Sequence, residues 1–303
     1  MSSGYAKVIL FGEHAVVYGH PALAAALSLS VRVRKVVPGP EHAVGLDPRT
    51  DTYSPGDGSR LGEALDRLIT VVGDASALQS GTVWLDSAVP IGAGLGSSAA
   101  MAVALARHYD PNASVDTILE AARAWESVFH KNPSGVDHTT SALGGVIEFQ
   151  RGRTPEFTRL QINPLPLIIA QIDPGADTST MVEGVRVRLE RWPEPMDAAM
   201  QMLGRCSVAA KEPLLDGDVN AVGQIMDIAH GGLCSIGVST PSLDAACSVA
   251  RNAGAAGAKL TGAGGGGCII AACNPERVNA VSAALTNAGA LRVLSAQAGV
   301  NHT

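Results

Sequence analysis

Aromatic side chains are scarce in this chain: 4 Phe, 4 Tyr and 3 Trp among 303 residues. Ala, Val, Leu and Ile must therefore fill the core, and the length allows about two domains. A cationic surplus is missing too. The formal net charge of −6 argues against a nucleic-acid groove or a basic membrane face. Any site for an anion has to be built locally, from amides, a few cations and metal. The five cysteines (Cys206, Cys234, Cys247, Cys268, Cys273) include no C-x-x-C pair. That excludes a disulfide scaffold and points to reduced, buried thiols in a cytoplasmic protein. No run approaches about 18 uninterrupted apolar residues, so no membrane span is expected. No charged segment followed by an apolar one opens the chain, so no secretory signal is expected either.

Two familiar phosphate motifs are also absent. No Lys follows Gly96, as a common NTPase loop requires. The glycines of residues 92–96 are spaced one residue too tightly for a dinucleotide fingerprint. What is present is Val-Pro-Ile-Gly-Ala-Gly-Leu-Gly-Ser-Ser-Ala-Ala over residues 89–100. An extended run leads into Gly92, Gly94 and Gly96, then Ser97, Ser98 and an Ala-rich helix. Glycine allows tight turns and close backbone approach. The first amides of the helix lack intrahelical partners and, with its dipole, suit an anion such as phosphate. Locally the same stretch also suits a strand–turn–helix joint of small residues.

Taken in order, residues 5–11 read as a strand, broken by Gly12-Glu13-His14. Lys7 lies within it, where a lysine ordinarily faces solvent. Residues 29–37 and 82–89 read as strands. Residues 38–59, with Pro38, Pro40, Pro48 and Pro55, read as loop. A helix is expected over 60–73 and another over 115–130, the latter capped by Ser114 with a buried stripe of Val115, Ile118, Ala122, Trp125 and Phe129. Glu126 borders that stripe, where a carboxylate needs a reason; a solvated flank is the plainer one. Asp137, past a Pro/Gly turn, reads either as a cleft carboxylate or as an N-cap. Strands are expected at 146–149 and 167–172, with a linker over 151–166. Helices are expected near 180–192, 195–211, 218–231, 241–253 and 275–288, and strands at 257–260, 267–272 and 291–296. This mixture suggests an α+β second domain. Between two of those strands lies Lys-Leu-Thr-Gly-Ala-Gly-Gly-Gly-Gly-Cys, residues 259–268. Ordering so many glycines costs entropy, so a close ligand or a close loop–loop contact is expected.

Three stretches together, Lys-Val-Ile-Leu-Phe-Gly-Glu-His-Ala-Val-Val-Tyr-Gly from Lys7, Pro-Ile-Gly-Ala-Gly-Leu-Gly-Ser-Ser-Ala-Ala from Pro90 and the glycine loop after Lys259, resemble the three motifs of the GHMP kinases. Asn132-Pro133-Ser134-Gly135-Val136-Asp137 adds to the likeness, which is greatest to the mevalonate kinases of that superfamily. The resemblance implies an α+β two-domain, GHMP-kinase-like fold. An N-terminal α/β domain (1–163) with a left-handed βαβ unit binds ATP, a C-terminal ferredoxin-like domain (164–303) faces it, and the active site lies in the cleft between. It implies ATP and Mg²⁺, transfer of the γ-phosphoryl group to the 5-hydroxyl of mevalonate, and a homodimer.

Residue by residue, the resemblance makes Asp137 the catalytic aspartate and Lys7 its neighbouring lysine. It makes Ser98 and Glu126 the metal ligands. Pro90, Gly92, Ala93, Gly94, Leu95, Gly96, Ser97, Ser98 and Ser134 are nucleotide-side positions. Glu13, His14, Asp137, Thr180 and Ala263 are substrate-side positions. Two departures stand out. Gly4-Tyr5-Ala6 replaces the usual Ala-Pro-Gly before the lysine, and Met101 stands where animal members often carry tyrosine. The second implies an altered substrate preference.

The chemistry suits these residues. Phosphoryl transfer needs positioning and charge neutralisation more than covalent help. A carboxylate can accept the proton of an attacking alcohol, and an adjacent ammonium keeps that carboxylate ionised. Rival readings are another GHMP kinase (for phosphomevalonate, homoserine or a sugar), a nicotinamide dehydrogenase, and a nucleotide sensor without catalysis. The misplaced glycines count against the dehydrogenase. Retention of Lys7, Glu126 and Asp137 together counts against the sensor.

Overall fold

The computed structural model describes residues 2–39, 42–47, 51–73, 81–90, 92–129, 134–150 and 156–301. In chain order the elements are β1 (Ser3–Phe11), β2 (Ala22–Pro38), β3 (His42–Asp47), β4 (Thr52–Tyr53), α1 (Arg60–Val72), β5 (Gly81–Ser87), α2 (Ser97–Tyr109), α3 (Val115–Glu126), α4 (Val136–Leu143), β6 (Val146–Gln150), β7 (Glu156–Leu160), β8 (Leu165–Gln171), α5 (Thr178–Arg191), α6 (Pro193–Ala209), α7 (Lys211–Asp216), α8 (Val219–Ser235), α9 (Pro241–Asn252), β9 (Gly257–Thr261), β10 (Cys268–Ala272), α10 (Val278–Asn287) and β11 (Arg292–Ala298). They form two compact units, each assembled from separate stretches of chain.

The first unit comprises Met1–Lys7, Ser28–Ile91 and Leu95–Gly144. In it β2 pairs antiparallel with β5, with a register shift between Val33 and Lys35. Strand β3 runs parallel to β5. The helix α2 is apolar on every side, and Ala99 through Ala106 are all buried, as expected of a helix enclosed by others. Small side chains let backbones come close: a Cβ on Gly4 of β1 would collide with the Ala100 carbonyl. The chain before Lys7 is thus a regular strand despite its departure from the family's Ala-Pro-Gly. Ser59 and Ser114 cap α1 and α3, accepting from the amides of Gly62 and Thr117.

The second unit comprises Val8–Leu27, Gly92–Gly94 and Gly145–Thr303. Its central strand β8, Leu-Pro-Leu-Ile-Ile-Ala-Gln, is flanked antiparallel by β11 and β10, and β10 pairs in turn with β9. Helices α8, α9 and α10 pack on these strands. The N-terminal half of β2 pairs with β6 from Ala22 to Ala25.

Four expectations need correction. The stretch 38–59 is not all loop: β3 and β4 lie in it, because Ala43 and Val44 are buried between prolines that punctuate rather than forbid a strand. The expected strand at 29–37 begins at Ala22, since its first half is an unbroken buried apolar run rather than an alternating one. The expected linker holds β7, paired with β6 from Val146–Leu160 to Gln150–Glu156; residues 151–155 lie outside the described residues. Val115 is exposed, not buried, as the first residue of α3, and Phe129 lies past the helix end, tilted against Trp125 at 6.2 Å. Among the described residues, no helix is long and apolar enough to cross a membrane.

Candidate active site

In the first unit, two helix N-termini are held at one lysine. Gly96 is the N-cap of α2 with φ 71°, a left-handed conformation that side chains disfavour. A Cβ there would stand 2.8 Å from Lys7 Cγ. Glycine at 96 therefore lets the lysine stem lie along the start of α2. The Lys7 amide donates to the Leu95 carbonyl at 2.9 Å, which ties β1 to the same turn. The Lys7 ammonium, 7% exposed, reaches Asp137 Oδ1 at 3.1 Å. Asp137 is not an N-cap: Gly135 takes that place, and Asp137 sits in the first turn of α4, where the helix dipole favours a carboxylate. Its side chain is 37% exposed, open to a third group. Next to it, burial depresses the His138 imidazole to about 4, so His138 is neutral near pH 7.

Ser98, in the first turn of α2, donates to Glu126 Oε1 at 2.6 Å and accepts from Trp125 Nε1 at 3.0 Å. Glu126 is buried, not a solvated flank. Trp125, read from sequence as core alone, also fixes the Ser98 hydroxyl. Its neighbours in sequence gave the signal: an indole donor next to the one carboxylate out of place on that helix. Met101 is buried and lines an apolar pocket with Val44, Leu65 and Trp125. Ser134 is exposed and accepts from the Val136 amide at 3.4 Å. Asn132 and Pro133 lie outside the described residues. Ser97 is half-buried at the start of α2, Leu95 is buried and Pro90 is buried ahead of the turn.

In the second unit, Gly92 and Gly94 both have positive φ and open space where a Cβ would be. The Ala93 carbonyl between them accepts from the Cys268 thiol at 3.3 Å. Alternating hands of this kind turn successive amides toward one side, the backbone arrangement that suits anions.

The same unit holds Glu13 and His14. The Ala15 amide donates to the Glu13 carbonyl at 2.6 Å across His14, whose φ is 58° and ψ −46°. This is the strained hand of the γ-turn, and His14 is the one non-glycine residue with positive φ among those described. Strain of this kind costs about 1–3 kcal/mol and persists only where surroundings impose it. His14 Nε2 lies 2.8 Å from the Ala263 carbonyl, so that nitrogen carries the proton and donates. Burial lowers the His14 pKa and keeps the ring neutral, leaving Nδ1 as an acceptor. The Glu13 carboxylate is buried; Oε1 pairs with the Lys259 ammonium, while Oε2 has no hydrogen-bond partner among the described residues. Lys259 had no role in the sequence reading, although it stands between Ala258 and Leu260 in an apolar strand.

The glycine loop after β9 makes the close loop–loop contact expected of it. Cβ atoms on Gly265 and Gly266 would lie 2.6 Å from Met181 Sδ and 2.5 Å from the Pro174 carbonyl. The Gly265 amide donates to Val238 O at 2.8 Å. Thr180, exposed in the first turn of α5, gives its amide to the capping carboxylate of Asp177 at 3.0 Å.

One His/Cys/Asp trio, His230, Cys234 and Asp244, brings its ligand atoms within 4.8 Å of one another. The Leu260 amide points at His230 Nδ1 from 3.4 Å. The ring proton therefore sits on Nε2, facing Asp244 Oδ1 at 3.2 Å. The trio is a hydrogen-bond network that ties α8 and α9 to β9.

Residues 61–145 match the GHMP kinases N terminal domain family and residues 210–291 the GHMP kinases C terminal family. The chain belongs to the GHMP kinases. Within them it is similar to several mevalonate kinases. That of Thermococcus sibiricus is 35% identical, covering 97% of this chain and 95% of its own. That of Methanothermobacter thermautotrophicus is 36% identical, covering 94% and 93%. Among solved structures, L. major mevalonate kinase in complex with R-mevalonate matches with a TM-score of 0.85 and 26% identity, covering 98% of this chain and 94% of that one. As a member of this kinase family the protein uses ATP as its phosphoryl donor.

Proposed function

We propose that the protein transfers the γ-phosphoryl group of ATP to the 5-hydroxyl of mevalonate, giving 5-phosphomevalonate, in a cytoplasmic setting that suits its five free thiols. The observation that carries this reading is the Lys7–Asp137 pair, set where α2 and α4 begin. Asp137 Oδ atoms accept the proton of the attacking hydroxyl. Lys7 orients the Asp137 carboxylate through their ion pair and offers positive charge to the alkoxide as it develops. Amides of residues 92–98 receive phosphate oxygens at the start of α2.

Ser98 and Glu126 offer two hard oxygen donors 2.6 Å apart, a set that fits Mg²⁺, which takes oxygen ligands and retains waters. When bound, the ion neutralises phosphate charge. On the substrate side His14 Nδ1 accepts from a hydroxyl of mevalonate. Names of the relatives and of the L. major complex support this acceptor over phosphomevalonate or galactose, whose kinases resemble the chain at 15–18% identity and in fold alone.

A coupled ADP-release assay across mevalonate, phosphomevalonate, homoserine and galactose tests the reading. Turnover on mevalonate and not on the others is expected. Turnover on another of them with none on mevalonate overturns it.

A further inference from the structure

The hairpin of β9 and β10 meets residues 9–14 at three points. The Thr261 hydroxyl donates to the Ile9 carbonyl at 2.9 Å, the Lys259 ammonium pairs with Glu13, and the Ala263 carbonyl receives His14 Nε2–H at 2.8 Å. Residues 259 and 261 share one side of β9 by simple alternation, and Ala263 follows in the turn after Gly262, whose φ is 84°. Two consecutive residues, Glu13 and His14, the first and central residues of the strained turn, are thereby held from one hairpin.

Of these tethers Lys259 is the most enclosed. Its side chain is 0% exposed and that of Glu13 1%. A buried ammonium and carboxylate are both costly to desolvate, so the pair requires a reason beyond stability. The ammonium also donates to the Leu260 carbonyl at 2.7 Å, which fixes its direction. Strand β9 is itself held, by β10 in register Lys259–Ile270 and by His230 on the Leu260 amide. Glu13 Oε2, buried without a hydrogen-bond partner, leaves Lys259 as the only ion-pair partner of that carboxylate among the described residues. The rigid end of the arrangement is thus the hairpin, and the strained end is His14.

We propose that Lys259 is a positioning residue: through Glu13 it holds His14 in its left-handed turn, so that the neutral ring keeps Nε2–H on Ala263 and presents Nδ1 to the substrate. This rests on the mevalonate kinase reading for the identity of the substrate, but not for the tether itself. It separates Lys259, which touches no reacting atom, from Lys7. It also gives Glu13 a role different from direct substrate contact.

The test compares Glu13→Gln with the double variant Lys259→Met/Glu13→Gln. Both lack the buried carboxylate, and the double variant also lacks the buried ammonium, so it leaves no unpaired charge to prevent folding. In Glu13→Gln the buried ammonium loses its counter-charge, which costs stability, but the new side-chain amide oxygen still accepts from it, so the tether survives there and is lost in the double variant; where Glu13→Gln does not fold, wild type is the reference for the double variant. Loss of one such hydrogen bond predicts roughly a tenfold higher KM for mevalonate in the double variant than in Glu13→Gln, with the KM for ATP unchanged. Equal KM values for mevalonate in the two folded variants overturn the proposal. ¹⁵N spectra of the His14 ring supply a readout independent of turnover. The Nε2–H tautomer persists in Glu13→Gln and gives way to a tautomer mixture in the double variant. An unchanged ring in both overturns the proposal even for a protein inactive on mevalonate, in which case the function reading fails separately in the wild-type assay.

Discussion

Two lysine–carboxylate pairs, one in each unit, differ in a single respect with large consequences. Lys7 and Asp137 are 3.1 Å apart with the carboxylate 37% exposed, whereas Lys259 and Glu13 are sealed at 0% and 1%. Solvent screens the first pair, so it contributes little to stability. The same openness leaves Asp137 free to meet a third group, as the proposed transfer requires. The second pair has no access to solvent and so cannot easily exchange its partner. Its attraction competes with a large desolvation cost, and removing one member leaves a buried charge uncompensated. Burial, more than residue type, separates a pair suited to chemistry from one suited to holding geometry.

The comparison is sharpest for stability. Lys259→Met should lower the unfolding free energy by about 3–5 kcal/mol, the usual result of breaking a buried pair on one side, while Lys7→Met should cost about 1 kcal/mol or less. Denaturant unfolding of the two variants measures both, and similar losses would break the contrast. For activity the order reverses. Asp137→Asn should lower turnover by at least ~100-fold, the scale of a lost general base, with ATP affinity and unfolding midpoint nearly unchanged. Near-normal turnover in that variant would remove Asp137 from the role.

Much of this arrangement is legible in the sequence because it depends on local rules. Caps such as Ser59 and Ser114, the Ala-rich run of α2 and the glycine loops announce themselves through spacing and backbone permissiveness. The order of helices and strands after residue 178, apart from the short α7, is legible for the same reason. Lys259 is not, since a lysine within a strand ordinarily faces water and its partner lies 246 residues away. Lys7 is ambiguous on the same ground until the family motif is noticed. The strands β3 and β4 are hidden by prolines beside them, and β7 by its mostly polar composition. The strain at His14 cannot be read from residue type at all: only tertiary tethers impose it.

A further prediction concerns acid. His138 is buried, and desolvation lowers its pKa from an ordinary 6.5 to about 4. Between those values the unfolded chain binds the proton and the folded chain does not, so stability rises with pH across that window and is lost on acidification. The full loss, reached below pH 4, is about 3 kcal/mol. His14 and His230 are shifted in the same direction by burial and add to it. His138→Gln should flatten the limb between pH 6.5 and 4 in unfolding free energy measured against pH. An unchanged limb assigns the acid loss to other groups.

The smallest effect expected lies at Ser98. Its hydroxyl accepts from Trp125 Nε1 and donates to Glu126, so the indole decides which way the hydroxyl's remaining lone pair points. Trp125→Phe keeps a ring against Phe129 and deletes the donor. One neutral hydrogen bond is worth about 1 kcal/mol, so the Mg²⁺ concentration for half-maximal activity should rise roughly fivefold while turnover at saturating Mg²⁺ stays close to normal. Unlike the two lysine pairs, this contact joins an open function to a buried support. A variant that lost stability but kept its Mg²⁺ dependence would show that the indole serves the core alone and that Glu126 is enough to orient Ser98.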